Sequence, residues 1–156
     1  SEWGRKELGW RADKQLLRDL SNNGWEPHKF RITTCGLTVD FRFVGKDSQQ
    51  YEYSCNQEGG SAASLVRDFN EKLAPKGWEI IFVYRVGPKG AENSGVYTRF
   101  LMRREISQKK FRYHYRYRKP TASKSSKPKH WKKICRVPAH EGWGDAHPYD
   151  LYKEEK

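Results

Sequence analysis

The 156 residues include 31 Lys and Arg against 19 Asp and Glu, a formal charge of +12, with only 35% apolar residues and 14% aromatic. That size suits one domain of ordinary length, or a smaller one with an appendage, and the apolar content predicts a small, aromatic-rich core. No apolar run approaches the ~18 residues of a membrane-spanning helix, no signal-peptide pattern opens the chain, and three widely spaced cysteines (Cys35, Cys55, Cys135) make no disulfide framework. The expectation is reduced thiols in an intracellular, reducing compartment, with no membrane partner.

In chain order, the first periodic segment is Leu16-Leu17-Arg18-Asp19-Leu20, followed by Gly24-Trp25-Glu26. Leu16, Leu17 and Leu20 fall on one helical face, and Gly24 is a suitable stop because glycine accepts the left-handed backbone of a C-cap. Strands are predicted over 28–34 and 37–44, joined at Cys35-Gly36. In the second of them Leu37, Val39, Phe41 and Phe43 alternate with Thr38, Asp40 and Arg42. A leading strand over 50–55 precedes a second helix, with Ser61 or Ser64 as its cap and Leu65, Val66, Phe69 and Leu73 on its apolar face. Pro75 and Gly77 end that helix, Trp78-Glu79 opens a strand running to residue 86, and a return strand covers 96–104.

The two helical segments share the pattern apolar-apolar-Arg-Asp-apolar, a polar stretch, then Gly-Trp-Glu. The reading is an internal duplication, 12–44 and 50–104, within an α+β domain spanning 1–104. Its expected architecture is an antiparallel sheet of about five strands with two helices on one face, followed by a basic extended C-terminal segment. Trp25 and Trp78 are expected to anchor the core at the helix ends rather than to bind a ligand.

Beyond this domain the composition changes. Residues 103–136 hold 14 of the Lys and Arg and one acid, Glu105, for a charge of +13; residues 1–102 net +2 and residues 137–156 net −3. Within 105–136 lies Phe111-Arg112-Tyr113-His114-Tyr115-Arg116-Tyr117-Arg118, a strict aromatic and basic alternation. As a strand it would put rings on one face and cations on the other. The preferred arrangement packs the rings on the core and leaves a basic ladder outside. Residues 120–129 read as a linker, and 137–156 as an acidic, aromatic tail that orders against a protein neighbour.

A charge so concentrated seeks a polyanion, which gains free energy by releasing condensed counterions. The expectation is a non-enzymatic nucleic-acid-binding protein, RNA favoured over DNA, contacting the phosphate backbone as a component of a ribonucleoprotein assembly. The candidate contacts are Arg103, Arg104, Lys109, Lys110, Arg112, Arg116, Arg118, Lys119, Lys132 and Lys133, with Tyr113, Tyr115 and Tyr117 as stacking residues. Zinc-finger spacing, helix-turn-helix signals and RNA-recognition aromatic motifs are missing, so shape or backbone recognition is expected. A second reading is a basic structural or linker protein among acidic partners, and a third is an inhibitor that sequesters nucleic acid or an enzyme.

His130, Cys135, His140 and His147 form a weak metal set whose spacing fits no zinc pattern, so no cofactor is expected. Catalytic constellations find little support. The acids are scattered, the glycine-rich stretches lack a phosphate-loop context, and a nuclease built on His114 or His140 with a carboxylate is the weakest alternative.

Overall fold

The computed structural model describes residues 2–47, 50–58, 61–86, 97–106, 113–120, 130–139 and 147–155. These residues form nine strands and two α-helices: β1 (Trp3–Gly9), α1 (Lys14–Asn22), β2 (Trp25–Thr33), β3 (Gly36–Phe43), β4 (Tyr51–Glu58), α2 (Ala62–Lys72), β5 (Glu79–Val86), β6 (Tyr97–Glu105), β7 (Tyr113–Arg118), β8 (Trp131–Val137) and β9 (Tyr149–Glu155). None of the described helices is long and apolar enough to cross a membrane.

Local signals set the helix ends. Asp13 caps α1 by accepting from the Leu16 amide at 3.1 Å, and Ser61 caps α2 by accepting from the Ser64 amide at 3.3 Å. Gly24 (φ 88°) and Gly77 (φ 91°) take the left-handed backbone that turns the chain from helix into strand. At Gly24 a Cβ would lie 2.5 Å from the Gly45 carbonyl carbon, so only glycine fits there.

The expected five-stranded sheet with two helices on one face is not what forms. The strands make three separate three-stranded antiparallel sheets, ordered β1-β3-β2, β4-β6-β5 and β7-β9-β8. In each, the third strand in sequence returns to the middle, so ladder hydrogen bonding closes within about 40–55 residues. Successive sheets meet through side chains instead of a shared ladder. The basic extended C-terminal segment is also corrected. Residues 113–118, 131–137 and 149–155 build the third sheet, because Tyr115, Val137, Tyr149 and Leu151 supply enough apolar surface to pack on the second.

The result is a stack of three units, in place of the expected two copies. Trp25, Trp78 and Trp131 are each 53 residues apart (78 minus 25, and 131 minus 78), and each stands at the start of its unit's second strand. Three residues on, each of these strands breaks register at a bulge: between Pro27 and Lys29, Ile80 and Phe82, and Lys133 and Cys135. The bulges therefore share the same 53-residue spacing. Contacts between units repeat as well. Phe30 of the first stacks on Phe82 of the second at 5.0 Å, and 53 residues later Cys135 packs beside Val83, whose backbone bonds to its thiol.

Two cores result. One joins α1 and the first sheet to the second sheet through Leu17, Leu37, Val39, Phe41, Tyr84 and Leu101. The other joins α2 and the opposite face of the second sheet to the third sheet through Leu65, Phe69, Val83, Phe100, Tyr115 and Leu151. Strand β6 is thus buried on both faces, with Phe100 and Met102 turned to one core and Leu101 to the other.

Polar side chains tie each helix to the next unit. Ser21 Oγ accepts from the Tyr51 amide at 3.2 Å. At the matching position of α2, Asn70 accepts from the Tyr115 amide at 2.7 Å and donates to its carbonyl at 3.0 Å. These bonds satisfy backbone groups on an edge strand that would otherwise be buried without partners.

Candidate nucleic-acid interface

Each sheet has a rear face toward the preceding unit and a forward face. In the second unit α2 lies on the forward face, where Ile80, Val83, Phe100 and Met102 are buried against Leu65 and Phe69. Flanking them on β4 are Ser54 and Asn56, paired in register with Met102 and Phe100.

The third sheet has the same register and different residues. Arg116 and Arg118 of β7 pair with Tyr152 and Asp150 of β9, and Lys133 and Arg136 of β8 pair with the same two. Position for position, Ser54 becomes Arg116, Asn56 becomes Arg118, Ile80 becomes Lys133, Val83 becomes Arg136, Phe100 becomes Asp150 and Met102 becomes Tyr152. An apolar helix-covered face has been rewritten as a charged one. Among the described residues no helix lies between β7 and β8.

The chemistry of this face follows from its layering. Asp150 lies beneath, with Arg136 Nε at 2.9 Å and Lys133 Nζ at 3.4 Å. Burial pushes its carboxyl up, but these two cations outweigh that and hold it below the usual carboxylate range. Glu154 accepts from His130 Nε2 at 2.9 Å and from the Trp131 indole N–H at 3.0 Å, with Arg116 at 3.5 Å. The His130 and Trp131 bonds hold its carboxyl low too. Arg116 also lies 5.7 Å over the Trp131 ring. The acids are therefore the floor, and the cations form the outer layer: side chains of Arg116, Lys133 and Arg136 remain 45%, 46% and 55% exposed. Arg116, Arg118, Lys133 and Arg136 against Asp150 and Glu154 leave this face at +2.

Beside it, α2 and β7 enclose a groove of about 510 Å³. Val66 and Tyr115 form its floor, with Arg67, Glu71, His114, Arg116, Tyr117 and Trp131 around it.

The candidate contacts fall into distinct places. Arg103 is internal, bridging Glu26 at 3.2 Å and Glu79 at 3.4 Å, the glutamates of the two Gly-Trp-Glu copies, with its guanidinium 4.1 Å over the Tyr51 ring. Burial lowers its pKa, yet Glu79, Tyr51, Tyr53 and Glu26 more than compensate, and it is raised. Lys153 repeats this motif one unit on, 2.8 Å from Glu79 and 4.5 Å over Tyr113. Arg104 pairs with Glu52 and covers the Trp78 ring at 4.7 Å.

Tyr115 is 1% exposed, edge-on to Phe69 at 5.0 Å, and its hydroxyl accepts from the Ile80 amide at 2.9 Å. It cannot stack on a base, and burial drives its hydroxyl well above the ordinary range. Tyr113 is half-buried under Lys153, while Tyr117 is 45% exposed. Lys119 and Lys132 are exposed. Lys109, Lys110 and Arg112 lie outside the described residues, as does the linker 121–129.

The metal set does not assemble. His130 is on Glu154, His147 is exposed, and Cys135 is internal with its thiol pushed up by burial to about 12. His140 lies outside the described residues, and no three His, Cys, Asp or Glu side chains gather for a metal among those described. Three residues were missed by the sequence reading: Arg136, Trp131 and Arg67. The 53-residue tryptophan spacing could have found Trp131, since it marks the start of a third unit; Arg67 carries no comparable signal. No family model matches the chain, and no curated protein or solved structure matches it either, so its fold and interface are argued from its own residues.

Proposed function

We propose that this chain is a non-enzymatic nucleic-acid-binding protein, with RNA favoured over DNA, that lies along a phosphate backbone as part of a ribonucleoprotein assembly. The observation supporting this is the replacement of a helix-covered apolar face by Arg116, Arg118, Lys133 and Arg136 at the same register positions of the third sheet. A row of arginines on one strand faces a second basic row across the sheet, which suits phosphates spaced along a strand. Lys119 follows Arg118 in the chain, while Lys132, in register with Lys153, belongs to the opposite face of the sheet; six further basic residues, Lys109, Lys110, Arg112, Lys124, Lys127 and Lys129, flank β7 in sequence and lie outside the described residues. Arg103 and Tyr115 drop out of the binding set because they hold units together. RNA is favoured because Trp131 stands among these cations, an arrangement suited to exposed bases rather than to a duplex groove.

The test is binding to single-stranded RNA, duplex RNA and duplex DNA across a salt series, for the chain and for its Arg116→Gln/Arg118→Gln/Lys133→Gln variant. Salt-sensitive binding is expected, with the logarithmic salt slope falling by about 1 for each phosphate contact removed. An unchanged slope in a variant that melts normally would overturn the assignment of this face. Failure to bind any of the three polymers at low salt would make acidic proteins its ligand.

A further inference from the structure

The groove between α2 and β7 is a different surface from the flat basic face beside it, and its lining suits a different part of a nucleic acid. We propose that it takes one unpaired nucleotide, the base lying against Trp131 and the adjoining phosphate held between Arg67 and Arg116. This rests on the nucleic-acid reading above and deepens it, from backbone contact to a preference for single strands.

Three observations support it. First, at about 510 Å³ the groove falls within the ~300–1,000 Å³ range of small-ligand clefts, and an unstacked nucleotide is a ligand of that class. Paired bases stacked inside a duplex cannot enter it. Secondly, its walls differ in kind. Val66 and Tyr115 give an apolar floor, Trp131 gives a ring, and Arg67 and Arg116 give cations from two separate elements. Glu71, one turn beyond Arg67 on α2, is the one acid among the described lining residues, so cations outnumber it.

Thirdly, the ring is held in place before any ligand arrives. Trp131 donates its indole N–H to Glu154 at 3.0 Å and lies 6.0 Å from the Tyr152 ring, while Arg116 covers it at 5.7 Å. A pre-oriented ring loses little freedom on binding. The stack also explains why Trp131 persists where its neighbours have changed. Trp25 and Trp78 are followed by Glu26 and Glu79, but Trp131 is followed by Lys132, so the tryptophan is kept while the charge beside it is reversed.

The experiment measures binding of a ten-nucleotide oligouridylate and of a duplex RNA of the same length. The proteins are the full chain, Arg67→Ala and Trp131→Leu, with thermal melts run in parallel. Arg67 is exposed on α2, so its truncation leaves the fold intact and keeps the test valid should Trp131→Leu fold poorly. Each variant is expected to lose about tenfold in single-strand affinity, the size of one stacked base or charged contact, with little change on the duplex. Equal binding of single strand and duplex by the parent chain, or single-strand affinity unmoved by Arg67→Ala, overturns the nucleotide groove and leaves the backbone reading standing. Loss of both polymers in the parent chain overturns the two readings together.

Discussion

Ile80, Val83, Phe100 and Met102 form the forward face of the second sheet, and Lys133, Arg136, Asp150 and Tyr152 stand at the same register positions in the third. The backbone is shared and the outcome is opposite: one face is sealed by α2, while the other presents a cationic layer over buried acids. Repeat stacks must end in units whose outer face tolerates water. The rear face of the first sheet meets that requirement with charge: by register Arg5, Lys29, Arg31 and Arg42 outnumber Glu7, Glu26 and Asp40, and Asp40 is held by Arg5 at 2.7 Å and Arg31 at 2.6 Å. The forward face of the third sheet also carries more cations than acids, and differs in having Trp131 under Arg116 and in being flanked in sequence by six further Lys and Arg within residues 109–112 and 124–129.

The comparison breaks first at the core. Phe100→Ala should cost about 3–5 kcal/mol, because Phe100 is 2% exposed, edge-on to Phe69 at 6.0 Å, and leaves a cavity between α2 and β6. Asp150→Ala at the matching place should cost no more than about 1 kcal/mol, because Lys133 and Arg136 are already half-exposed and rehydrate. Urea denaturation checks both. Similar losses would mean that the third sheet's face is a packed interior and not a surface.

The joints between units give the next contrast. Arg103→Ala should cost about 3 kcal/mol, since it removes a largely buried guanidinium that bridges two units, leaving Glu26 without it and Glu79 with Lys153 alone. Lys153→Ala should cost less, because Glu79 keeps Arg103. Thermal melts of the two single variants and the double variant measure this, and a double loss larger than the sum would show that the cations share Glu79.

Legibility followed the same division. The helices and the second to sixth strands could be read because Leu16, Leu17, Leu20, Leu37, Val39, Phe41, Leu65 and Phe69 keep a clear period and a leading strand over 50–55 precedes the second helix. Strand β1 was missed, since of Trp3–Gly9 only Leu8 is buried and the rest reads as a polar edge. The third unit was missed because the Gly-Trp-Glu signature is there His130-Trp131-Lys132, and its forward face carries Arg, Lys and Asp where an alternating apolar pattern was sought. The single-sheet expectation failed on long-range pairing. Nothing in local periodicity says that each third strand returns to the centre of its own unit, and the double burial of β6 emerges only from that topology. For the interface, composition located the segment but not the roles. Tyr115 and Arg103 look like neighbours of Tyr117 and Arg104 in sequence, and only the pleat and the unit joints separate core from surface.

The smallest effect concerns the two clamped aspartates and follows from pH. Hydrogen bonds from Arg5 and then Arg31 lower Asp40 to about 2. A carboxyl depressed in the folded state stabilises it above the ordinary carboxylate pKa, and that stabilisation fades as pH falls from about 4 toward 2. Asp40→Asn should therefore lower the melting temperature at neutral pH and flatten its acid limb by the same amount, and both changes should be small because exposed arginines such as Arg5 contribute little once hydrated. Asp150→Asn should act in the same direction on stability but, unlike Asp40→Asn, should also tighten polyanion binding at neutral pH. It removes a negative charge beneath Lys133 and Arg136, whereas Asp40 lies on the rear face of the first sheet at the other end of the stack. If both substitutions leave affinity equal, the two ends of the stack are electrostatically alike, and the excess of cations at the third sheet is no binding face.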